Sequence, residues 1–473
     1  MVLQNVILPG KMNINPEIYF RSSEKMVTTR GMVVIPQGVT LRTDTYMNTF
    51  DIGTWKKYTT ISGIRLRIKI EGVGTAKVWS ENAGQTPRLL FQKRFDAGDV
   101  GQEDEDMVFD IPYGLEIGII FLEIDAETEC ILKYARFETL TPVPRDVRIA
   151  IAICTYKRRE QLEQLLEELK MLPELGVRFN IKVVDNASEL PDHYGKGIQL
   201  YHNPNTGGSG GFSRGMDETI KDLKQFAATH LVLMDDDVII QTESLLRLYA
   251  LLSFVRDGYE GEVVAGRMFR MDNPEVQYTA CEIWNAGDIK HIGWNQDMTI
   301  RERLFDMNKN EGGEYSGWWF ACFPIEFVKE NRPLPFFLHC DDVEYGLRHG
   351  GVPIVLNGIQ VWHETYEYRQ SPVIEYYDYR NSLIVNEKYG LIPNKDMVLE
   401  EWKEKISEYH VLSEYTKECL IILGLLDFCL YYGKLYKRDG AKYHRRLCGV
   451  KGNRIRNAFL WRYVKIIFKR RFK

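Results

Sequence analysis

The stretch VRIAIAICTYKRREQLEQLLEELK, residues 147–170, decides the fold class. Its first ten residues are almost continuously apolar, which is typical of a parallel strand covered on both faces. The leucines that follow, at positions 162, 165, 166 and 169, recur at helical spacing. An apolar strand followed directly by an amphipathic helix predicts an α/β unit with a parallel sheet.

The same alternation continues along the chain. Further strands are predicted over residues 180–188 (NIKVVDNAS) and 230–234 (HLVLM), and further helices over 211–227 and 242–255. We therefore predict a doubly wound α/β domain, in which ligands bind at the carboxyl ends of the strands.

Different patterns flank this domain. Up to about Thr141 the chain alternates with period two, as in GIRLRIKIEG (63–72), which predicts an antiparallel β-sandwich. The two prolines of TPVPRD (141–146) indicate a linker, because proline disfavours both helix and ladder. From about Lys395 the pattern is helical. The predicted domains are a β-sandwich over 1–145, the α/β domain over 146–390 and a helical C-terminal region over 391–473.

The charge is distributed unevenly. The formal net charge is -5, but from Ala441 onward the chain has twelve Lys or Arg and no Asp or Glu. The stretch RIRNAFLWRYVKIIFKRRFK (454–473) mixes basic residues with apolar Phe459, Leu460, Tyr463, Ile466 and Ile467. This basic amphipathic pattern predicts a helix lying on an anionic membrane surface. The alternative is a solvated basic face packed on the domain.

Three features predict a cytoplasmic protein. The eight cysteines form no CxxC pair, so we expect free thiols in a reducing compartment. The first residues, MVLQNVILPGKMNI, lack the pattern of a secretory leader. The apolar run CLIILGLLDFCLYYG (419–433) is too short to span a bilayer and contains Asp427, so we predict a buried helix.

Three carboxylates, Asp235, Asp236 and Asp237, follow the strand HLVLM with no Lys or Arg beside them in the sequence. Adjacent carboxylates repel one another unless a positive charge lies between them. They predict a Mg²⁺ or Mn²⁺ site that holds a nucleotide diphosphate. The alternative is an aspartate cap on the next helix, which requires only one of the three residues.

Two other strand ends are expected beside this triplet. CTYKR (154–158) ends the first strand and VDNAS (184–188) the second, which places Thr155, Arg158, Asp185 and Asn186 in the same crevice. Alternatively, Asp185 and Asn186 make an Asx turn. The glycine-rich loop NPNTGGSGGFSRG (203–215) opens a helix and predicts close approach of backbone N–H groups to a phosphate or sugar.

A second acidic cluster lies in FFLHCDDVEYGLRHGG (336–351). Asp342 or Asp341 could accept the proton of an attacking hydroxyl, or both could simply stabilise the start of a helix. Upstream, GWWF offers Trp318 and Trp319 as a sugar platform or as core residues. Downstream, His363 of VWHETYEYR could complete the metal site.

Taken together, the segments CTYKR, VDNAS, NTGGSGG, LMDDDV, GWWF, HCDDVEYGLR and VWHE resemble the inverting family 2 glycosyltransferases of GT-A fold. Within that family, these segments resemble most specifically the polymerising bacterial galactofuranosyltransferases. TDTYMNTFDIGTWKKYT (43–59) resembles their β-sandwich domain, so the similarity extends to about residue 390.

The resemblance implies a role for each site residue. The metal ligands are expected to be Asp235, Asp237 and His363, with Asp342 as the catalytic base. The residues expected to bind UDP are Thr155, Arg158, Asp185, Asn186, Asn205 and Asp236. Those expected to line the sugar and acceptor site are Trp318, Trp319, Asp341 and Glu344.

The resemblance also implies a function and partners. We expect a metal-dependent transfer of galactofuranose from a UDP-sugar to a lipid-linked cell-surface glycan, in polysaccharide or cell-wall biosynthesis. The enzyme would be peripheral at the inner face of the cell membrane, with no nucleic-acid partner, and a homo-oligomer is among the arrangements left open.

Alternative functions remain at this stage. A dTDP-rhamnose donor would suit the same fold. A noncatalytic carbohydrate-binding protein could use the sandwich and the tryptophans, but it would need neither a metal site nor a base. A nucleotidyltransferase would be expected to hold a triphosphate with a basic loop, and NTGGSGG contains no Lys.

Overall fold

The structure, a computed structural model, describes residues 1–9, 14–24, 27–29, 31–96, 106–112, 114–115, 117–365, 371–392 and 394–471. Its strands are β1 (Val2–Asn5), β2 (Arg21–Ser22), β3 (Val27–Thr29), β4 (Met32–Ile35), β5 (Thr40–Arg42), β6 (Phe50–Asp51), β7 (Ile64–Glu71), β8 (Val73–Glu81), β9 (Arg88–Asp96), β10 (Met107–Ile111), β11 (Ile119–Ala126), β12 (Cys130–Thr139), β13 (Ile149–Thr155), β14 (Phe179–Asp185), β15 (Ile198–His202), β16 (His230–Asp235), β17 (Val264–Ala265), β18 (Arg267–Arg270), β19 (Val276–Thr279), β20 (Glu282–Asn285), β21 (Asp288–His291), β22 (Gln296–Asp297), β23 (Ala321–Pro324) and β24 (Gln360–His363). Its helices are α1 (Ile52–Tyr58), α2 (Arg159–Leu169), α3 (Gly207–Lys221), α4 (Leu223–Phe226), α5 (Thr242–Ser253), α6 (Ile325–Glu330), α7 (Asp341–His349), α8 (Pro372–Lys388), α9 (Lys395–Val411), α10 (Tyr415–Tyr431), α11 (Gly440–Cys448) and α12 (Arg454–Arg471).

The N-terminal part is the predicted antiparallel β-sandwich. One sheet has the order β10-β7-β12-β4-β3 with β1 beside β12, and the other has the order β2-β5-β11-β8-β9 with β6 beside β11. Burial alternates residue by residue along β7, as its period-two pattern predicts. The short helix α1 lies outside this prediction, and it begins where the carboxylate of Asp51 accepts a hydrogen bond from Thr54 N.

The α/β domain is built on a six-stranded sheet of order β15-β14-β13-β16-β23-β17. The four strands from β15 to β16 run parallel, whereas β23 runs antiparallel to its neighbours. Alternate residues of β13 pack against opposite layers, one containing the leucines of α2 and α5 and the other the apolar residues of α3. The doubly wound prediction is confirmed.

The sandwich and the α/β domain share one continuous hydrophobic cluster. Polar contacts also join them, above all through the fully buried Arg247 of α5. Its guanidinium donates hydrogen bonds to Glu243 and to the backbone carbonyls of Asn357, Asn5 and Met47. The linker is therefore not the main connection between the two predicted domains.

The C-terminal region is helical, as predicted. Helix α10 contains most of the apolar run 419–433 and is buried among α8, α9 and α12, so the predicted buried helix is confirmed. Among the helices of the described residues, none has the length and apolar character needed to cross a bilayer. Helix α8 lies within the range predicted for the α/β domain, yet Leu383, Ile384 and Val385 pack with the C-terminal helices. It therefore connects the two parts.

Candidate active site

The strand register brings the predicted polar clusters together. Strand β13 lies between β14 and β16, with Thr155 opposite Asp185 and Cys154 opposite Asp235. Because these strands are parallel, their carboxyl ends meet at one edge of the sheet. The strand register therefore places Thr155, Asp185 and Asp235 along one edge of the sheet, as expected from parallel pairing.

Asp235, Asp237 and His363 form a compact cluster in which one potential ligand atom from each lies within 4.8 Å of the others. His363 Nε2 lies 3.1 Å from Asp237 Oδ1 and 3.6 Å from Asp235 Oδ2. Strand β24 brings the histidine here, because Ile239 and Trp362 exchange backbone hydrogen bonds just beyond the aspartates.

The donor set suits a divalent cation. Two carboxylates and one imidazole combine hard oxygen ligands with a nitrogen ligand that Mn²⁺ accepts. The side chain of Asp235 is one-third exposed at 33%, whereas those of Asp237 and His363 are largely buried. An ion bound here would therefore remain accessible from the crevice.

The Asp triplet has a positive partner that its sequence neighbourhood does not reveal. Arg158 Nη1 donates to Asp236 Oδ1 at 3.0 Å and to Asp237 Oδ2 at 2.8 Å. The expectation that no Lys or Arg neutralises the triplet is therefore wrong, because the sheet brings Arg158 across from β13. Burial raises the pKa of Asp236 to about 6, against the opposing effects of Arg158 and Thr155.

The predicted UDP ligands Asp185 and Asn186 already have partners. The carboxylate of Asp185 accepts hydrogen bonds from the backbone N–H groups of Ala187, Glu189 and Leu190. Asn186 donates through Nδ2 to the carbonyl of Gly207. Both side chains are buried. The bond from Ala187 N to Asp185 is the Asx turn of the alternative, whereas Asn186 makes no such turn and instead joins its loop to the start of α3. By contrast, Asn205 is half-buried, and the side-chain hydrogen bond described for it is the one that its Oδ1 accepts from Gly207 N.

The segment 203–215 opens a helix, as predicted, but the helix begins at Gly207 rather than at Gly211 and so includes most of the glycines. Helix α3 begins at Gly207, and its glycines allow it to lie close to the sheet. A Cβ on Gly211 would be 2.1 Å from Cys154 Sγ. Gly207 has φ +72° and also approaches the backbone of Phe337 closely. Gly207 and Gly211 therefore allow close packing of α3, and the approach of its first N–H groups to a phosphate or sugar stays a prediction.

Asp341 and Asp342 are the first two residues of α7. The carboxylate of Asp342 accepts a hydrogen bond from Val343 N at 2.8 Å. Burial raises the pKa of Asp342 well above its usual range, and the charges of Asp341 and Glu282 raise it further. Burial also raises the pKa of Asp341, with a contribution from the charge of Asp235. A carboxyl with a raised pKa is suited to proton transfer near neutral pH.

Three residues predicted to line the sugar site are buried elsewhere. Trp318 is 5% exposed and packs edge-on against Phe212 and Tyr345, whereas Trp319 is 2% exposed and donates to the carbonyl of Gly266. Neither ring offers an open face for stacking. Glu344 is fully buried and pairs with Arg348 and Lys388, so its carboxylate joins α7 to α8.

Sequence reasoning missed a hairpin beside the carboxylate pair. Strands β20 and β21 bring in Glu282, whose charge acts on Asp342 and whose Oε1 lies 2.8 Å from His291 Nδ1. Trp294, 60% exposed, lies with its ring 6.1 Å from that of His291. The turn NAGD (285–288) signals a hairpin in the sequence, but its position beside α7 follows only from the fold.

Two family models match the chain. Residues 144–370 match the model described as "Glycosyltransferase like family 2", and residues 3–139 match "Galactofuranosyltransferase 2 N-terminal". Together they cover the sandwich and the α/β domain.

Curated relatives agree with these models. The galactofuranosyltransferase GlfT2 of Mycobacterium tuberculosis is 26% identical over 377 residues, which cover 72% of this chain and 57% of the relative. GlfT2 of Mycolicibacterium smegmatis is 25% identical over 416 residues, which cover 81% of this chain and 63% of the relative. The chain thus spans about three-fifths of the length of these relatives.

Solved structures with low overall similarity include S. aureus TarS 1-349 in complex with UDP, at 12% identity and a TM-score of 0.37, covering 68% of this chain and 92% of that one. The mannosyltransferase PcManGT from Pyrobaculum calidifontis, in complex with GDP-Man and Mn²⁺, has 12% identity and a TM-score of 0.34, covering 69% of this chain and 87% of that one. Taken together, these sequence matches support a glycosyltransferase of the family 2 type that is related to the galactofuranosyltransferases.

Proposed function

We propose that the chain is a metal-dependent, inverting galactofuranosyltransferase that uses a UDP-sugar. The observation that carries this proposal is the pairing of an Asp-Asp-His cluster with two separate carboxylates at the start of α7, the buried Asp341 and the half-buried Asp342. A cation site and a base of raised pKa in one crevice are what transfer to a hydroxyl requires. The galactofuranosyltransferase relatives support the choice of sugar.

The residues of the crevice divide into two groups. Asp235, Asp237 and His363 would hold Mn²⁺ or Mg²⁺, which supplies positive charge for the departing diphosphate. Arg158, with a side chain that is 42% exposed, can turn from the aspartates towards a phosphate oxygen. Thr155 and Asn205 would provide further hydrogen bonds to UDP.

Asp342 is the proposed catalytic base. The acceptor oxygen attacks the anomeric carbon from the side opposite UDP, while its proton passes to a carboxylate oxygen of Asp342. The bond from the anomeric carbon to the diphosphate oxygen breaks, and its electron pair leaves with UDP. A single displacement of this kind inverts the anomeric configuration. Asp341 would contact the sugar or the acceptor beside it.

The proposed acceptor is a lipid-linked cell-surface glycan, reached from the cytoplasmic face of the membrane. Helix α12 supports this location. Four apolar residues share one of its faces and are more than half exposed: Ile455 at 72%, Phe459 at 66%, Tyr463 at 55% and Ile466 at 54%. Exposed Arg462, Lys469 and Arg470 flank them. Of the other predicted apolar residues, Leu460 packs against the helical core and Ile467 is half-buried.

Vesicle binding tests this surface. The chain should sediment with vesicles that contain anionic lipid and not with neutral ones, because the face combines apolar and basic groups. Introducing Phe459→Asp and Ile466→Asp together should abolish sedimentation. Val411→Asp, at an 81% exposed position of α9, is the matched control and should leave it unchanged. Equal sedimentation of both variants would exclude α12 as the docking face.

A donor comparison tests the proposed reaction. We would measure nucleotide release from UDP-galactofuranose, UDP-galactopyranose, UDP-glucose and dTDP-rhamnose, with Mn²⁺ and with chelator, in the presence of glycan acceptors. Metal-dependent release from the furanose donor is the expected result. Turnover of dTDP-rhamnose instead would change the donor but keep the mechanism. No turnover of any donor would favour a carbohydrate-binding protein.

A further inference from the structure

The loop that precedes the carboxylate pair is backbone-strained. Phe337, His339 and Cys340 have φ angles of 76°, 62° and 62°, all in the left-handed region. This conformation is strained for residues with a side chain, so surrounding contacts must hold the loop. Those contacts fix where Asp341 and Asp342 begin α7.

Helix α8 supplies most of these contacts. Asn381 donates through Nδ2 to the carbonyls of Leu338 at 2.7 Å and His339 at 2.9 Å. Arg380 donates to the carbonyl of Phe336 at 2.7 Å. From the other side, the hydroxyl of Ser209 in α3 accepts a hydrogen bond from Phe337 N. The C-terminal helices are therefore connected directly to the loop that carries the proposed base.

The same helix contacts the side chain of His339. Its Nδ1 lies 2.5 Å from Asp378 Oδ1. Burial lowers the pKa of His339, but the hydrogen bond and charge of Asp378, with the charges of Asp341 and Asp342, outweigh it and raise the pKa overall. The imidazole is therefore favoured as a cation beside two acidic groups.

We propose that His339 and Asp378 are positioning residues that hold a positive charge beside the catalytic base. This inference rests on the proposed function. The charged groups that act on His339 are Asp341 and Asp342 from α7 and Asp378 from α8. In turn, Glu282 of β20 acts on Asp342, and Asp235 of β16 acts on Asp341. Among these groups the imidazolium opposes the negative charges that keep Asp342 protonated, so it favours the ionised form that accepts a proton.

The pH dependence of kcat/KM tests the role. In Asp378→Asn the imidazole loses its anionic partner and becomes a weaker cation, so the ionisation of Asp342 becomes harder. The acidic limb of the profile should move to higher pH by about one unit. His339→Gln should move it in the same direction, and Asp378→Glu should restore the wild-type profile. UDP binding should not change in any of the three.

Glu375→Gln is the matched control, because it removes one negative charge from the same helix, one turn before Asp378, at a carboxylate that bonds to Tyr409. Its profile should match that of the wild type. A uniform loss of activity in Asp378→Asn, with no shift of the limb, would mean that the residue only supports the fold and would overturn the proposal.

The titration of His339 gives a readout that needs no turnover. In NMR spectra, the resonance missing from His339→Gln identifies the imidazole, and its pKa should fall in Asp378→Asn. If the pKa of the His339 imidazole did not change in Asp378→Asn, the proposed charge interaction between His339 and Asp378 would be contradicted. If the wild type transferred no sugar, the proposed function would fail, whereas a falling imidazole pKa would still establish the charged pair.

Discussion

Replacing Arg158 by Gln should tighten the binding of Mn²⁺ alone and weaken the binding of UDP. Arg158 Nη1 lies 2.8 Å from Asp237 Oδ2, so one proposed metal ligand is already paired in this structure. A cation bound through Asp237 Oδ1, which faces His363, would compete with the guanidinium on Oδ2 for the charge of the same carboxylate. A UDP diphosphate would compensate by offering Arg158 new acceptors, whereas the metal alone cannot.

The size of the effect follows from burial. Hydrogen bonds to charged groups contribute about 1.5 to 3 kcal/mol, and exposed ion pairs about 0 to 1 kcal/mol. The Arg158 side chain is 42% exposed and that of Asp237 is 13% exposed, which places the pair between these cases, at about 1 kcal/mol. The Kd of Mn²⁺ should therefore fall by roughly fivefold in the variant.

Calorimetric titration with Mn²⁺ and then with UDP measures both effects. Arg159→Gln is the matched control, because its exposed side chain pairs with Glu163 and should leave both affinities unchanged. If Arg158→Gln bound Mn²⁺ more weakly than the wild type, the guanidinium would be supporting the metal site rather than competing for it, and the reasoning would fail.

Three further predictions follow from the site and the core. Asp342→Asn should lower kcat by about 10² to 10⁴ while UDP binding is retained; transfer at the wild-type rate would exclude it as the base. Arg247→Met should lower the free energy of unfolding in urea by about 3 to 5 kcal/mol, because Glu243 stays buried without its cation. Arg256→Met, at an exposed arginine, is the control and should lower the free energy of unfolding by less than about 1 kcal/mol. Equal losses in the two variants would show that burial does not set the size of the effect. Burial lowers the pKa of His230 from 6.5 to about 4, so the unfolded chain takes up a proton that the folded chain refuses. The free energy of unfolding should therefore fall by about 3 kcal/mol as the pH is lowered from 6.5 to about 4. The same pH dependence of stability in His230→Gln would contradict this.

Local pattern predicted the features that depend on neighbours in sequence. The apolar runs of β13 and β16 and the alternation of β7 fixed strand type, and parallel pairing then placed Thr155, Asp185 and the Asp triplet at one edge. The helical character of 395–471 and the buried apolar run of α10 were likewise readable from composition and periodicity.

What the sequence could not provide depends on contacts between distant segments. The pairing of Arg158 with Asp237 joins residues 79 positions apart and exists only once the sheet forms. Trp318 and Trp319 have the composition of a sugar platform, but close packing against α3 and α7 covers the first ring. The glycines after residue 206 resemble a loop because glycine is a poor helix former, yet here they let a helix approach a strand.

The most direct test of the central claim is UDP release from UDP-galactofuranose with a glycan acceptor, as Mn²⁺ is removed by chelator and restored, in the wild type and in Asp237→Asn. The account predicts that wild-type turnover disappears and returns with the metal, and that the variant remains inactive throughout while still folded. Equal turnover with and without chelator would contradict a metal-dependent transferase at this site.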